Sequence, residues 1–232
     1  MFSLASKSSA EKIPQRFEIV SAYYTGNGTS TQTIPSTVQA GDIMVIYNVV
    51  RNTSGIPTTV IPSGFTSLVN TTLDISNVAS RGITSYRVLA DVDAGRTITV
   101  MSAANEHRYQ QVVFRFPVPI ISVTSVSGQG NTYFDERSSI NQTFVAGTSP
   151  TLFVGCNSHQ YLNSSKPDVA GLSFTTQTGN AGAGSSNPGM SYYNGYDTTV
   201  ANTYSGIVET RYGYANRLWD IVQSGRLDLS IT

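Results

Sequence analysis

The sequence predicts an all-β protein, a jelly-roll-like β-sandwich built from two pseudo-repeats. β-Branched and aromatic residues recur in short runs, separated by turns rich in glycine, proline and asparagine. The run that follows Ala40-Gly41-Asp42 is apolar on both faces, which is typical of a central strand covered on both sides. A similar run follows Ala146-Gly147 in the second half of the chain.

In the first half, each predicted strand is bounded by turn-forming residues. Gly26-Asn27-Gly28 predicts a turn, and Pro62-Ser63-Gly64 predicts another. Pro117 and Pro119 should end the last strand, because proline has no N–H to donate to a ladder. The predicted strands lie within residues 16–24, 31–38, 41–50, 65–69, 82–90, 97–101 and 111–116.

Landmarks of the first half recur in order in the second. Gly128-Gln129-Gly130 corresponds to the first glycine turn, Gly171-Leu172 to Gly64-Phe65, and Ser191-Tyr192 to Ser85-Tyr86. The spacing predicts pseudo-repeats of about 105 residues, at 16–119 and 120–232. The segment that joins them is short and apolar, which favours one fused sandwich, and two closely apposed β domains are the alternative.

Residues 1–15 are predicted to form an N-terminal arm, because they are serine-rich and end next to Pro14. Phe2, Leu4 and Ile13 could fix this arm onto a neighbouring subunit, and an idle tail is the alternative. The arm lacks the long apolar region of a secretory signal, so we expect none there.

Composition restricts the classes of partner. Only 12% of residues are charged, about half the usual share, and 14 basic residues balance 14 acidic ones. Without a basic stripe we expect no nucleic-acid partner, and no apolar run is long enough to predict a membrane span. The single cysteine, Cys156, excludes an intrachain disulfide and is expected to be buried and inert.

Motifs for chemistry are sparse, so we expect no enzyme, cofactor or metal. Cys156 and His159 have no second pair to complete a zinc site, and their spacing places them on opposite faces of a strand. Asp91-Val92-Asp93 is interpreted as a loop with solvated carboxylates. Glu106-His107-Arg108 is interpreted as a polar connector between strands. The glycine-rich run at 179–189 lacks the ending of a phosphate-binding loop.

Tyrosines crowd the last forty or so residues of the chain. Their rings fit three roles: a sandwich core, a protein interface or a platform for sugars. Tyr192, Tyr193 and Tyr196 are the candidate residues for an interaction surface in this region.

Five motifs follow one another in the first half: Ala40-Gly41-Asp42, Pro62-Ser63-Gly64-Phe65-Thr66, Tyr86-Arg87-Val88, Thr97-Ile98-Thr99-Val100 and the apolar run at 112–116. Together they resemble a β module found in bacteriophage structural proteins. The resemblance spans about residues 38–116, with a fainter echo at 146–223, and Phe65 stands where tryptophan is expected. These motifs are turn and core positions, so the resemblance implies a fold and no catalytic residues.

This resemblance implies a non-enzymatic virion structural protein: a capsid decoration or cement protein, or a collar, tail or fibre component. Such a protein would assemble in the host cytoplasm and bind other virion proteins as a homo-oligomer. The alternative is a β-sandwich that binds a surface glycan or a host receptor through the tyrosines.

Overall fold

The computed structural model describes residues 17–26, 30–52, 55–75, 78–100, 106–133, 139–145, 151–159, 166–169, 174–179, 189–197, 203–209 and 220–231. Most of these residues lie in β-strands, and all strand pairs are antiparallel. The predicted all-β class is therefore confirmed. The described ranges contain no helix long and apolar enough to cross a membrane.

Strands β1 to β7 come from the first half of the chain. The five longer ones form a sheet in the order β1-β7-β3-β5-β4, called here the N-terminal sheet, and β2 pairs separately with β6. A short 3-10 turn at Asp91–Asp93 links β5 to β6. The strands are β1 (Glu18–Gly26), β2 (Thr31–Thr33), β3 (Ile43–Asn52), β4 (Thr66–Ile75), β5 (Val78–Val88), β6 (Thr97–Thr99) and β7 (Glu106–Arg115).

Strands β8 to β15 come from the second half. Five of them form the C-terminal sheet, in the order β12-β13-β10-β15-β8, and a further sheet has the order β11-β14-β9. The strands are β8 (Ile120–Tyr133), β9 (Ser139–Val145), β10 (Thr151–His159), β11 (Lys166–Val169), β12 (Phe174–Gly179), β13 (Gly189–Asp197), β14 (Thr203–Glu209) and β15 (Asp220–Ile231).

The two five-stranded sheets have the same strand order. We read the N-terminal sheet from β1 and the C-terminal sheet from β8. In both, the first strand of the half is followed by its last strand, then by its third, its third-from-last and its fourth-from-last strand. In both halves the second strand pairs with the second-to-last, as β2 with β6 and β9 with β14. The pseudo-repeat deduced from sequence landmarks stays a prediction. Gly128-Gln129-Gly130, which corresponds in sequence to the first glycine turn, forms no turn, because it pairs with β15 inside β8.

The two five-stranded sheets share a hydrophobic core. Strand β3 lies at the centre of the N-terminal sheet and is buried from Ile43 to Val50, as its two-sided apolar pattern predicts. Val45 and Val112 belong to one cluster with Leu152 and Ile221 of the C-terminal sheet. Burying this apolar surface removes it from water and is the main force that holds the sheets together.

A second core covers the opposite face of the N-terminal sheet. Met44 and Ile46 of β3 and Tyr109 of β7 pack there with Ile98 of β6. The alternation of β3 therefore sends odd-numbered side chains toward the C-terminal sheet and even-numbered ones toward the β2–β6 pair. Strand β3 is thus part of both cores.

Two glycines let β4 approach the C-terminal sheet closely. Gly128 of β8 and Gly225 of β15 lie opposite each other in register. A Cβ atom on Gly225 would lie 2.5 Å from Leu68 Cδ2, and one on Gly128 would lie 2.5 Å from the backbone oxygen of Leu68. We call this contact of Gly128 and Gly225 with Leu68 the glycine seam. It requires residues without side chains at both positions.

Both ends of the described body lie at the connection between the halves. Glu18, at the start of β1, pairs with Arg115 at the end of β7. Ile231, at the end of β15, pairs with Ile120 at the start of β8. The Phe17 ring packs edge-on against a ring of β7 with 5.5 Å between the centroids. The chain therefore enters and leaves the body beside the segment that joins its halves.

Candidate functional site

The structure describes the predicted interaction residues only in part. Phe2, Leu4 and Ile13 lie outside the described residues, as does the rest of the predicted arm. Tyr192, Tyr193 and Tyr196 lie on β13, whose two edges pair with β10 and β12. Strand alternation places positions 192 and 196 on one face and position 193 on the other.

A pocket of about 370 Å³ opens at the connection between the halves. Glu18, Arg115, Pro117 and Pro119 are among the residues that line it. Asp42 at the start of the buried β3 run completes it. The pocket thus lies at the Ala40-Gly41-Asp42 motif that the sequence singles out.

Two charged residues of this pocket, Asp42 and Arg115, form an ion pair, and Glu18 is a third charged residue in the lining. Arg115 Nε donates to Asp42 Oδ1 at 2.9 Å, and Arg115 Nη2 donates to Asp42 Oδ2 at 2.7 Å. The backbone N–H of Gln39 donates to the same carboxylate at 2.8 Å, and Arg115 Nη2 also reaches the carbonyl oxygen of Thr37. The hydrogen bond to Asp42 is the main cause that raises the pKa of Arg115 above its ordinary value. A two-pronged pair of this kind fixes the relative positions of the two side chains.

Gly41 fits this motif against the chain connection. Its φ of 88° lies in the left-handed region, and a Cβ there would lie 2.7 Å from Pro119 Cβ. The carbonyl oxygen of Gly41 accepts a hydrogen bond from the N–H of Ile120 at 3.3 Å. Only glycine satisfies both the dihedral angle and the contact, so the motif joins the first half to the start of β8.

A second ionic cluster lies at the turn between β5 and β6. Asp93 is only 1% exposed, and its carboxylate lies 2.9 Å from Arg87 Nη2 and 3.3 Å from Arg96 Nη1. It also accepts a hydrogen bond from the N–H of Ala90 at 3.0 Å. Burial alone would raise the pKa of Asp93, but this hydrogen bond and the two guanidinium groups outweigh it and lower the pKa. The predicted loop with solvated carboxylates is therefore wrong for Asp93, while Asp91 is exposed as expected.

Arg87 also connects this cluster to the turn before β4. Gly64 has a φ of 85°, and a Cβ on it would collide with the Arg87 guanidinium. Arg87 Nη1 reaches toward the carbonyl oxygen of Ser63 at 3.4 Å. The Pro62-Ser63-Gly64 turn and the Tyr86-Arg87-Val88 strand are far apart in sequence, and this contact joins them.

The predicted polar connector at Glu106-His107-Arg108 is wrong, because these residues begin β7. His107 and Arg108 are both buried. His107 Nε2 lies 2.6 Å from Asn48 Oδ1, and Asn48 Nδ2 donates to the carbonyl oxygen of Val100. Since that amide oxygen can only accept, the Nε2 atom must carry the proton. The histidine thereby helps tie β3 and β7 to the segment after β6.

Cys156 and His159 both lie on β10, in the middle of the C-terminal sheet. Their odd spacing places the two positions on opposite faces of this strand. Among the described residues, no group of three or more His, Cys, Asp or Glu side chains is arranged to hold a metal ion.

Arg115 and Asp42 are the two residues of the pocket that sequence reasoning missed as a pair. Arg115 lies between Phe114 and Phe116 in a run that is otherwise apolar, and Asp42 precedes a fully buried strand. The available signal for a buried ion pair was the single charge in each apolar run, because a charge among buried apolar residues needs a partner. Their separation in sequence concealed which charges would meet.

The polar side chains described above form hydrogen bonds and ion pairs within the fold. Comparison of the chain with family models, with curated proteins and with solved structures gives no match. The fold defines an all-β protein with stacked antiparallel sheets.

Proposed function

We propose that this chain is a non-enzymatic structural protein of a bacteriophage virion, which binds neighbouring virion proteins and further copies of itself. The capsid surface, the collar and the tail are the places where such a protein would act. It would assemble in the host cytoplasm and remain in the particle. Neither a cofactor nor a metal enters this role.

The observation that carries the proposal is how the motif residues are used. Asp42 pairs with Arg115, Asp93 with Arg87, and Gly41 with the backbone of Ile120. The contacts of Asp42 and Gly41 join segments that are distant in sequence, and the Asp93–Arg87 pair fixes the turn after β5, as expected of residues that serve a scaffold. The resemblance to phage β modules rests on the same motifs, so fold and resemblance favour the same role.

The surface composition supports assembly. Net charge is zero, so like charges do not keep copies of the chain apart. Ile56, Ile61 and Ile121 are apolar side chains that the described surface leaves exposed. Contacts with other virion proteins would cover such side chains.

Mass spectrometry of purified particles tests this function. We expect the chain at a fixed copy number in particles from the virus that carries its gene, and we expect combined Phe2→Ser, Leu4→Ser and Ile13→Ser substitution to reduce its incorporation. A Val92→Ser variant, changed at an exposed turn position, is the control for handling and expression. Particles that contain none of the wild-type chain would refute the proposal.

The carbohydrate-binding alternative rests on Tyr192, Tyr193 and Tyr196, which share one strand. Because position 193 faces away from the other two, a sugar platform would use one face only. Glycan-array binding that is lost with Tyr193→Ala and kept with Tyr192→Ala, or the reverse, would support this alternative. Equal binding by both variants would count against it.

A further inference from the structure

Strand β8 offers an open edge. It is the last strand of the C-terminal sheet and pairs along one side with β15. Within the described part of the chain, no strand lines its other side. With 14 residues it extends about 45 Å, so its outer edge presents a long row of backbone donors and acceptors.

In the two five-stranded sheets, each of the other three end strands carries a feature that discourages pairing with a further strand. Strand β1 begins with Glu18 and has a register irregularity after Ile19. Strand β4 carries Asp74 and an irregularity after Ser67. Strand β12 has only six residues. Charges, bulges and short length are the usual protections of free edges.

The second part of β8 lacks these protections. Its two register irregularities, opposite the end of β15, fall before Ser125. From Ser125 to Tyr133 the pairing with β15 is continuous, and this stretch contains neither a charged residue nor a proline. Val126 within it is 38% exposed.

The glycine seam supports this edge from behind. Gly128 lies against the backbone of Leu68 and the side chain of Val69, so β4 backs β8 directly. A strand held in position by a second layer loses little conformational freedom when another strand pairs with it. The edge is therefore prepared for a partner.

We propose that the edge from Ser125 to Tyr133 pairs antiparallel with the same segment of a second copy, about a two-fold axis at Gln129. This inference deepens the proposed function, on which it rests, by naming the surface for self-association. The two C-terminal sheets would then form one continuous sheet of ten strands, by doubling the five of each copy.

The sequence of this segment is complementary to itself in that register. Gln129 meets its own copy, and Gly128 meets Gly130. Val126 meets Thr132, and Ser127 meets Asn131, so β-branched and hydrogen-bonding residues face each other. With no charge in the segment, no like-charge pair arises at the axis, and an isologous contact of this kind closes as a dimer.

The test uses the full chain with a charge at the axis. We expect wild type to show a concentration-dependent monomer–dimer equilibrium by analytical ultracentrifugation. Gln129→Lys and Gln129→Glu should each raise the dimer Kd about fivefold or more at low ionic strength, because like charges then lie opposite each other. A 1:1 mixture of the two variants should form a mixed dimer with the affinity restored, and Val92→Lys, at a position 84% exposed, should leave the Kd unchanged.

Hydrogen exchange on the wild-type protein gives a readout that needs no variant. The amides between Ser125 and Tyr133 that point away from β15 should become more protected as concentration rises through the dimer Kd. The proposal is overturned if wild type stays monomeric at millimolar concentration. It is also overturned if neither Gln129→Lys nor Gln129→Glu raises the dimer Kd, or if mixing the two variants does not restore the affinity. A chain that stays monomeric in solution but still enters particles would overturn this surface and leave the proposed role in the virion intact. A dimer that is absent from particles would support the surface and refute that role.

Discussion

The carboxylate of Asp93 joins three short pieces of chain. It binds Arg87 within β5, the N–H of Ala90 after β5 and Arg96 before β6. Because it is almost fully buried, its hydrogen bonds and ion pairs compete less with water than those of an exposed residue. Asp93 therefore fixes the turn that leads from the N-terminal sheet to β6.

The first prediction concerns the pH dependence of stability at Asp93. The pKa of Asp93 is lower in the folded state than in the unfolded chain, so its carboxylate stabilises the fold above about pH 4. That contribution should disappear as the pH falls through the folded-state pKa. Asp93→Asn should lower the free energy of unfolding by about 2 kcal/mol at pH 7.

Urea unfolding of wild type and Asp93→Asn across pH 2.5 to 7, a range chosen to span about the pKa of a carboxyl group, measures this difference. The gap between the two proteins should narrow toward the acid end. A gap that is constant over the whole range would show that the ion pairs contribute nothing and would contradict the prediction. Val92→Ala serves as a neighbour that should behave as wild type.

Strand β3 shows how much of an element the sequence can predict. Its apolar residues continue on both faces from Ile43 to Val50, and this pattern alone indicates a central strand. The structure confirms its central position between β7 and β5. Position and burial followed from a local pattern, so no knowledge of distant contacts was needed.

Strand β7 shows where sequence reasoning ends. Its apolar end at 111–116 was predicted, but the strand begins at Glu106. His107 is polar and gave no local sign of burial, because its hydrogen-bond partner Asn48 comes from β3. Asp42 and Arg115 each showed, by lying next to apolar residues, that a partner was needed, but the sequence did not reveal that they bind each other. Partners distant in sequence decide whether a polar residue is buried, and one sequence does not reveal them.

The strand orders of the two halves agree more closely than their landmarks do. Tyr86 pairs with Val45, near the start of β3, whereas Tyr192 pairs with Cys156, nearer the end of β10. A landmark can therefore recur in sequence at a different place in the ladder. The jelly-roll-like topology and the duplication of the halves stay predictions, and the common strand order is the observation that favours duplication.

The second prediction concerns the glycine seam. Gly225→Ala would place a methyl group against Leu68, so we expect a loss of about 1–3 kcal/mol in the free energy of unfolding. Shortening the opposing side chain with Leu68→Ala should relieve the collision. The double variant should therefore be at least about 1 kcal/mol more stable than the sum of the single changes implies.

Urea unfolding of the four proteins in this cycle measures the coupling. Gly225→Ala combined with Val92→Ala supplies the matched comparison, because that turn is not in the seam. Additive behaviour of Gly225→Ala with Leu68→Ala would contradict the close packing of β4 on β15.

At the scale of the whole molecule, the halves are joined by more than the chain. Thr84 Oγ1 donates to Gln223 Oε1 at 2.9 Å between two buried side chains, one in each five-stranded sheet. The hydrophobic core that contains Val45 and Leu152 lies between the same two sheets. Neither sheet keeps that face covered without the other, so we expect the halves to unfold together.

The third prediction tests this cooperativity with the sole tryptophan, Trp219, which lies in the second half of the sequence. Asp93→Asn destabilises a turn in the first half, and it should shift the urea midpoint of Trp219 fluorescence as much as that of far-UV circular dichroism. Thr84→Val should act in the same way on both signals. A fluorescence transition that stays in place while the circular dichroism moves would show that the halves unfold independently.

The pairing of Glu18 with Arg115 and of Ile231 with Ile120 has a consequence for engineering the chain. A short linker could join the present start of the body to its present end, and the backbone could be reopened at an exposed position such as Gly55. The resulting circular permutant would keep every strand neighbour. In the unpermuted chain, peptides fused to either end of the body would both lie near the segment that joins the halves.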